Sequence, residues 1–104
     1  MKPTALEIMK AVAEAYGITI EELRSHSRIA RIATARAVVC YLLYRNYNYS
    51  TKYVGHMVLR DHATVIHYCR KVQGFYLFPK MYATDLAIIK EIEEKYFIYD
   101  TDGH

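Results

Sequence analysis

Helix-start signals recur along the chain and constrain its fold more than any other feature. Thr4 and Thr19 are each followed three residues later by a glutamate, the spacing of a capping box in which both side chains satisfy helix-end amides. Three later segments are also preceded by an N-cap residue, namely Ser50, Asp61 and Thr84. No segment alternates polar and apolar residues over a useful length, as a half-buried strand does. We therefore predict an all-α fold of about six helices.

Apolar residues at helical spacing give approximate bounds to these helices. The predicted helices are 5–16, 20–25, 27–44, 51–57, 62–73 and a last amphipathic helix that follows Thr84. We interpret the chain as a single domain, 1–104, because its length suits one hydrophobic core. Within it, residues 1–73 form the core unit, and residues 74–104 form an aromatic loop and the C-terminal helix.

Basic residues are concentrated in the middle of the chain. From Arg24 to Lys71 there are nine Lys and Arg residues and one acid, Asp61, whereas the remainder holds five lysines and ten acids. A basic surface of this kind is typical of proteins that meet phosphates, although a merely solvated basic face remains the alternative. No apolar run approaches the ~20 residues of a membrane span, so we expect no membrane partner.

The fourth and fifth predicted helices are short and joined by a tight turn, as in a helix-turn-helix. The fifth helix has one face directed to a core and an opposite face of Ala63, His67 and Arg70. The residues at its start would meet base edges in the major groove, and these are Asp61, His62, Ala63 and Thr64. Arg60 and Lys52 would lie nearer the phosphates. Many helical bundles contain two short helices and a turn, so an ordinary bundle remains the alternative on pattern alone.

Other chemistry is weakly supported by the sequence. His62, His67 and Cys69 do not share one helical face, so we expect no zinc site, and nothing orients a Cys–His nucleophile. We predict no enzyme activity, no cofactor and no bound nucleotide, and expect Cys40 and Cys69 to be buried thiols. Five tyrosines between 41 and 53 invite nucleic-acid stacking, but packing at the core margin or a protein interface is the commoner use. We favour the latter.

Several strings also resemble a known family. They are Ile18-Thr19-Ile20-Glu21-Glu22-Leu23-Arg24-Ser25, Ala33-Thr34-Ala35-Arg36, Val54-Gly55 and, above all, Arg60-Asp61-His62-Ala63-Thr64-Val65 with the following His67, Cys69, Arg70 and Lys71. Together they resemble the C-terminal DNA-binding domain, domain IV, of the bacterial replication initiator DnaA, over roughly residues 5–73. The resemblance implies a Trp-repressor-like helical domain that binds a short double-stranded DNA sequence, the DnaA box.

The resemblance also implies roles for individual residues. Arg28 would enter the minor groove, Arg36 would approach the DNA backbone or a base edge, and Ser50 would hold a phosphate. In the fifth helix, the positions that read bases in the family are Asp61, His62 and Thr64. The sequence departs from the family where a signature threonine is replaced by Ala63 and where glycines before Arg60 are replaced by Val58-Leu59.

These observations predict a sequence-specific DNA-binding protein that acts in replication-origin binding or transcriptional control. No Gly-x-x-x-x-Gly-Lys-Ser/Thr loop is present, so we expect a stand-alone relative without the ATPase module, located in the bacterial cytoplasm at the nucleoid. The alternative is a helical protein-interaction module that has lost DNA reading. In either case a second copy or a replication protein is a candidate partner for the Tyr-rich and C-terminal surfaces.

Overall fold

The computed structural model describes residues 2–97, and within this range the chain forms six α-helices and one π-helical turn. The helices are α1 (Ala5–Tyr16), α2 (Ile20–Arg24), α3 (Ala30–Tyr41), α4 (Thr51–Val58), α5 (His62–Phe75) and α6 (Ala83–Lys95), with the π-helical turn Leu42–Asn46 after α3. No strand occurs within this range, which confirms the all-α prediction. Residues 98–104, part of the segment predicted to meet a partner, lie outside the described residues, as does Met1.

Most predicted helix starts are confirmed. Thr4 and Thr19 form complete capping boxes with Glu7 and Glu22. Ser50 and Asp61 cap α4 and α5 by accepting hydrogen bonds from main-chain amides three residues ahead. Thr84 does not cap α6, because that helix begins one residue earlier and Tyr82 at its N-cap makes no side-chain cap bond. The Tyr82 amide instead donates to the Phe78 carbonyl, so a preceding turn leads into the helix.

Helix α3 runs through the centre of the molecule. All six residues from Ala35 to Cys40 are at most 2 % exposed, so this helix is covered on every side rather than along one stripe. Its predicted start near residue 27 is wrong, since the chain remains extended or bent until Ile29. Its last turn widens into the π-helical turn, where the Tyr47 amide donates to the Leu42 carbonyl at 3.1 Å.

The C-terminal helix closes the core against α1. The Tyr16 hydroxyl donates to the Asp85 carboxylate at 2.7 Å, and Ile89 and Ile92 are buried in the main hydrophobic cluster. Between α5 and α6, the Phe75 and Tyr82 rings stack with centroids 4.2 Å apart. Among the residues described, no helix is long and apolar enough to span a membrane.

Candidate nucleic-acid interface

The turn between α4 and α5 brings two stretches of backbone into direct contact. The amides of Leu59 and Arg60 both bond the Gly55 carbonyl, the Arg60 amide at 2.8 Å, while Leu59 takes a left-handed φ of 60°. The Arg60 bond is one of the two bonds of a Schellman motif, and the Leu59 bond is that of the simpler left-handed helix end. A Cβ added to Gly55 would overlap the Arg60 carbonyl oxygen, so only glycine lets the turn close this tightly. The turn therefore sets the angle at which α5 leaves α4.

Helix α5 divides into the two faces expected from its sequence. Val65, Cys69 and Val72 are buried, at 0 %, 4 % and 0 % exposure, and hold the helix against α3 and α4. The opposite face carries the exposed residues Ala63, His67, Arg70 and Lys71. An apolar stripe thus anchors the helix and leaves a polar, basic face open to a partner.

The first turn of α5 presents polar groups to solvent. Asp61, His62 and Ala63 are exposed and Thr64 is half-buried, so all four predicted base-reading positions lie together. The Asp61 carboxylate accepts a hydrogen bond from the Thr64 amide at 2.8 Å, which holds the pKa of Asp61 below its usual range. Asp61 is therefore ionised at neutral pH, and it caps the helix with an oxygen that also faces solvent.

An arm of residues 25–29 connects α2 to α3 and carries Arg28. Ser25 and Ser27 shape it, because their hydroxyls accept hydrogen bonds from the Ser27 and Ile29 amides, each at 3.2 Å. Arg28 and Ile29 are exposed at its outer side, Ile29 at 62 %. The arm is thus a shaped segment that holds Arg28 outside the helical body.

Arg36 does not lie where the sequence suggested. It is 2 % exposed, and its guanidinium donates to the main-chain carbonyls of Leu23 (2.8 Å), Ser25 (2.7 Å) and Ser27 (3.4 Å). The expected approach of Arg36 to the DNA surface is therefore corrected, because the side chain points inward from the central helix. Its DNA-facing role was implied by the family resemblance, and its burial depends on carbonyl acceptors from the segment before α3.

Arg60 is also engaged internally. One terminal nitrogen donates to the Leu59 carbonyl at 3.0 Å, and the other donates to the Ser25 carbonyl at 2.7 Å. Arg60 is nevertheless half-exposed, so one edge remains available to solvent. It therefore connects the α4–α5 turn to the arm through the Ser25 carbonyl.

A basic cleft of about 320 Å³ opens between the arm and α5. Its lining residues are His26, Ser27, Arg28, Ala33, Arg36, Arg60 and Tyr68, and none of these is acidic. Arg28 and Arg60, far apart in sequence, therefore meet at one concave, positively charged site. Such a site attracts anions of phosphate size.

The start of α4 offers a second basic position. Ser50 accepts a hydrogen bond from the Tyr53 amide at 3.1 Å, and both Ser50 and Lys52 are exposed. The free amides of a helix start favour an anion. This position lies at the far end of α4 from Arg60, about 12 Å away by the rise of an eight-residue helix.

The thiols and three of the five tyrosines between 41 and 53 are used for packing, whereas Tyr44 and Tyr53 are exposed. Cys40 and Cys69 are free and buried, and burial raises the pKa of Cys69 to about 11, far from that of a reactive thiolate. Tyr41, Tyr47 and Tyr49 pack into or against the core. Within residues 2–97, no three His, Cys, Asp and Glu side chains lie where they could hold a metal ion.

Comparison with known proteins connects this geometry to a family. A family model described as the bacterial DnaA protein helix-turn-helix matches residues 6–72. The chain is 38 % identical over 74 residues to the chromosomal replication initiator protein DnaA of Thermodesulfovibrio yellowstonii, covering 69 % of this chain and 17 % of that relative. It is 36 % identical over 66 residues to the protein of the same name from Picosynechococcus, covering 62 % and 15 %.

A third relative is similar over a longer stretch of the chain. The chromosomal replication initiator protein DnaA of Bacteroides thetaiotaomicron is 27 % identical over 90 residues, or 86 % of this chain and 19 % of the relative. The chain therefore spans less than a fifth of the length of these three relatives. The match over residues 6–72 includes the arm, α3, α4 and nearly all of α5.

Proposed function

The chain belongs to the family of bacterial DnaA helix-turn-helix domains, and on that premise we propose that it binds double-stranded DNA sequence-specifically, at sites like the DnaA box. The observation that carries the proposal is the first turn of α5, where Asp61, His62 and Ala63 are exposed on a helix anchored by a buried stripe. A helix presented in this way suits entry into the major groove. Control of replication initiation or of transcription is the role that fits such binding.

The reading groups have complementary chemistry. His62 donates to guanine acceptors, the Asp61 carboxylate accepts from the cytosine amino group, and Thr64 bonds or offers its methyl group. Ala63, where the family has threonine, keeps an apolar contact for the thymine methyl but brings no hydroxyl. The preferred sequence is therefore expected to differ from the family's usual box at the base pair that faces Ala63.

The basic groups around α5 suit the DNA backbone. We assign Arg28 on the arm to the minor groove, and Ser50 and Lys52 at the start of α4 to phosphates. The basic cleft between Arg28 and Arg60 is where we place a further phosphate. His67, exposed one turn along α5 from Ala63, extends the contact surface.

Titration of the protein with a DnaA-box duplex and a scrambled duplex, at several salt concentrations, tests the proposal. We expect preference for the box and a steep fall of affinity with salt, because bound phosphates release counterions. Binding to neither duplex at low salt would contradict DNA binding. Equal binding to both would contradict sequence reading at this box.

Two variants separate reading from backbone contact. His62→Ala is expected to reduce the discrimination between the duplexes about tenfold, whereas Lys52→Ala is expected to weaken both about equally and lower the salt slope by about one. Lys90→Ala, an exposed lysine on α6, is the matched control and should change neither. If His62→Ala leaves discrimination intact, the assignment of base reading to α5 is wrong.

A second candidate function is favoured by the segment after α5. Leu77, Phe78 and Met81 are 76 %, 58 % and 74 % exposed, which is unusual for large apolar side chains in one short stretch. Under this candidate the chain is a helical interaction module that binds a second copy or a replication protein. Leu77→Ser combined with Met81→Ser would then abolish self-association or partner capture while leaving DNA affinity unchanged.

A further inference from the structure

Two helices of the candidate interface end side by side and cap each other with arginines. Arg24, the last residue of α2, donates from Nε to the Met57 carbonyl in the last turn of α4 at 2.8 Å. Arg60, just after α4, donates from Nη2 to the carbonyl of Ser25, the C-cap of α2, at 2.7 Å. The last carbonyls of a helix lack partners within it and carry partial negative charge, so cations are favourable there. Each arginine therefore satisfies the end of the other helix.

Arg36 completes this arrangement from the inside. Its Nη2 donates to the same Ser25 carbonyl as Arg60, at 2.7 Å, and its Nε donates to the Leu23 carbonyl at 2.8 Å. A cation that is 2 % exposed is expensive to bury, and carbonyl oxygens are the acceptors recorded for it here. A buried ion is therefore weak evidence for added stability, and in some proteins such a group fixes the geometry of neighbouring segments instead. What it fixes is the start of the arm.

The arm follows directly from this point. Ser25 carries the shared carbonyl, and its hydroxyl donates to the Glu22 carbonyl at 2.7 Å while accepting from the Ser27 amide. Ser27 in turn offers its carbonyl to Arg36 and its hydroxyl to the Ile29 amide. Arg28 lies between Ser27 and Ile29, which these hydrogen bonds hold in place. Its position relative to α5 is thus set through Ser25 and Arg60, which connect the arm to the turn before α5.

We propose that Arg24, Arg36 and Arg60 are positioning residues that lock the Arg28 arm to the α4–α5 turn, so that both grooves of DNA are engaged by one preorganised body. The inference rests on the proposed function, since it assigns Arg28 and α5 to DNA. A free arm would lose conformational entropy on binding, and a locked arm has already lost it on folding. The three arginines thus contribute to affinity through the position of Arg28, and Arg60 does so in addition to the phosphate that we place beside it.

A double-mutant cycle between Arg60 and Arg28 tests the lock. Arg60→Lys keeps the charge but loses the planar fork that reaches Ser25 and Leu59 together. We expect Arg28→Ala to weaken box binding about tenfold in the wild-type background and less than about threefold in the Arg60→Lys background. Equal effects in both backgrounds would overturn the proposal. Arg45→Lys, an exposed arginine after α3, is the matched control and should leave the Arg28→Ala effect unchanged.

A neutral variant distinguishes positioning from phosphate contact. Arg24→Met removes the bond to Met57 and is expected to weaken box binding without changing the salt slope. A slope reduced by about one would show that Arg24 contacts phosphate and would overturn its positioning role.

A measurement without DNA keeps the inference separate from the proposed function. In Arg60→Lys, hydrogen exchange at the Ser27 and Ile29 amides should be faster than in the wild type, while exchange in α1 is unchanged. Unchanged exchange in the arm would overturn the lock. If the wild-type protein binds no DNA but the arm amides respond, the proposed function fails while the arginine lock stands.

Discussion

The two ends of α5 are held in place by different physical means. At its start, a backbone-to-backbone contact at Gly55, a left-handed Leu59 and the Asp61 cap fix the helix through polar geometry. At its end, Phe75 is buried and stacks on Tyr82, after which the chain makes a series of turns. The hydrogen bonds at the start depend on the exact placement of a few atoms. The stabilisation from apolar packing at the end falls roughly in proportion to the buried area that is lost. The start of α5, whose direction is fixed by hydrogen bonds, is the end to which we assign base reading in the proposed function.

Phe75→Ala tests the packed end and should have the largest effect on stability. Removal of a ring that is 3 % exposed is expected to lower the free energy of unfolding by ~3–5 kcal/mol. Denaturant unfolding measures this loss, and the folded fraction should bind DNA with an unchanged salt slope. Phe78→Ala, at a ring that is 58 % exposed, is the control and should change stability by less than ~0.5 kcal/mol.

Gly55→Ala tests the polar end. The added methyl overlaps the Arg60 carbonyl, so we expect a loss of ~1–3 kcal/mol in unfolding free energy together with weaker DNA binding. Gly74→Ala is the matched control near the other end of the same helix. A Cβ there has no neighbour within 4 Å, so it should stabilise the protein by ~0.5–1 kcal/mol. Similar responses at the two glycines would remove the contrast between the ends.

Leu59→Gly is expected to stabilise the turn. A left-handed conformation costs a leucine ~1–2 kcal/mol, and part of the gain is offset by the greater freedom of glycine in the unfolded chain, which leaves a net gain of ~0.5–1 kcal/mol. Thermal melting measures it. Asn48→Gly, at φ 59°, should gain less because asparagine tolerates this region. A lower melting temperature for Leu59→Gly would show that the exposed leucine makes a compensating contact.

Asp61→Asn gives the smallest effect and a pH signature. The bond from the Thr64 amide depresses the pKa of Asp61 in the folded state, so its stabilising contribution is present above the ordinary aspartate pKa and is lost as pH falls through the depressed value. The wild-type protein should therefore melt slightly above Asp61→Asn at neutral pH, with the difference vanishing in acid. A constant difference across this range would contradict the ionised cap.

The sequence predicted the helices well where a cap marked them and less well elsewhere. Thr4, Thr19, Ser50 and Asp61 are local signals, because each cap bonds an amide only a few residues away. The start of α3 was missed because no side chain caps it. The start of α6 was missed by two residues because the turns before it, rather than Thr84, set it. Of the site, the grouping on the first turn of α5 was predicted, since a short helix segment keeps its own residues together.

What the sequence by itself determined is the all-helical fold, the anchored and open faces of α5 and the concentration of positive charge between Arg24 and Lys71. What only the tertiary structure decided is which of those charges face outward. Arg28 is exposed, whereas Arg36 is buried and Arg24 and Arg60 bond carbonyls 33 and 35 residues away. The physical reason is that a basic side chain can donate either to a phosphate or to an unsatisfied helix carbonyl. Only the folded chain brings those carbonyls within its reach.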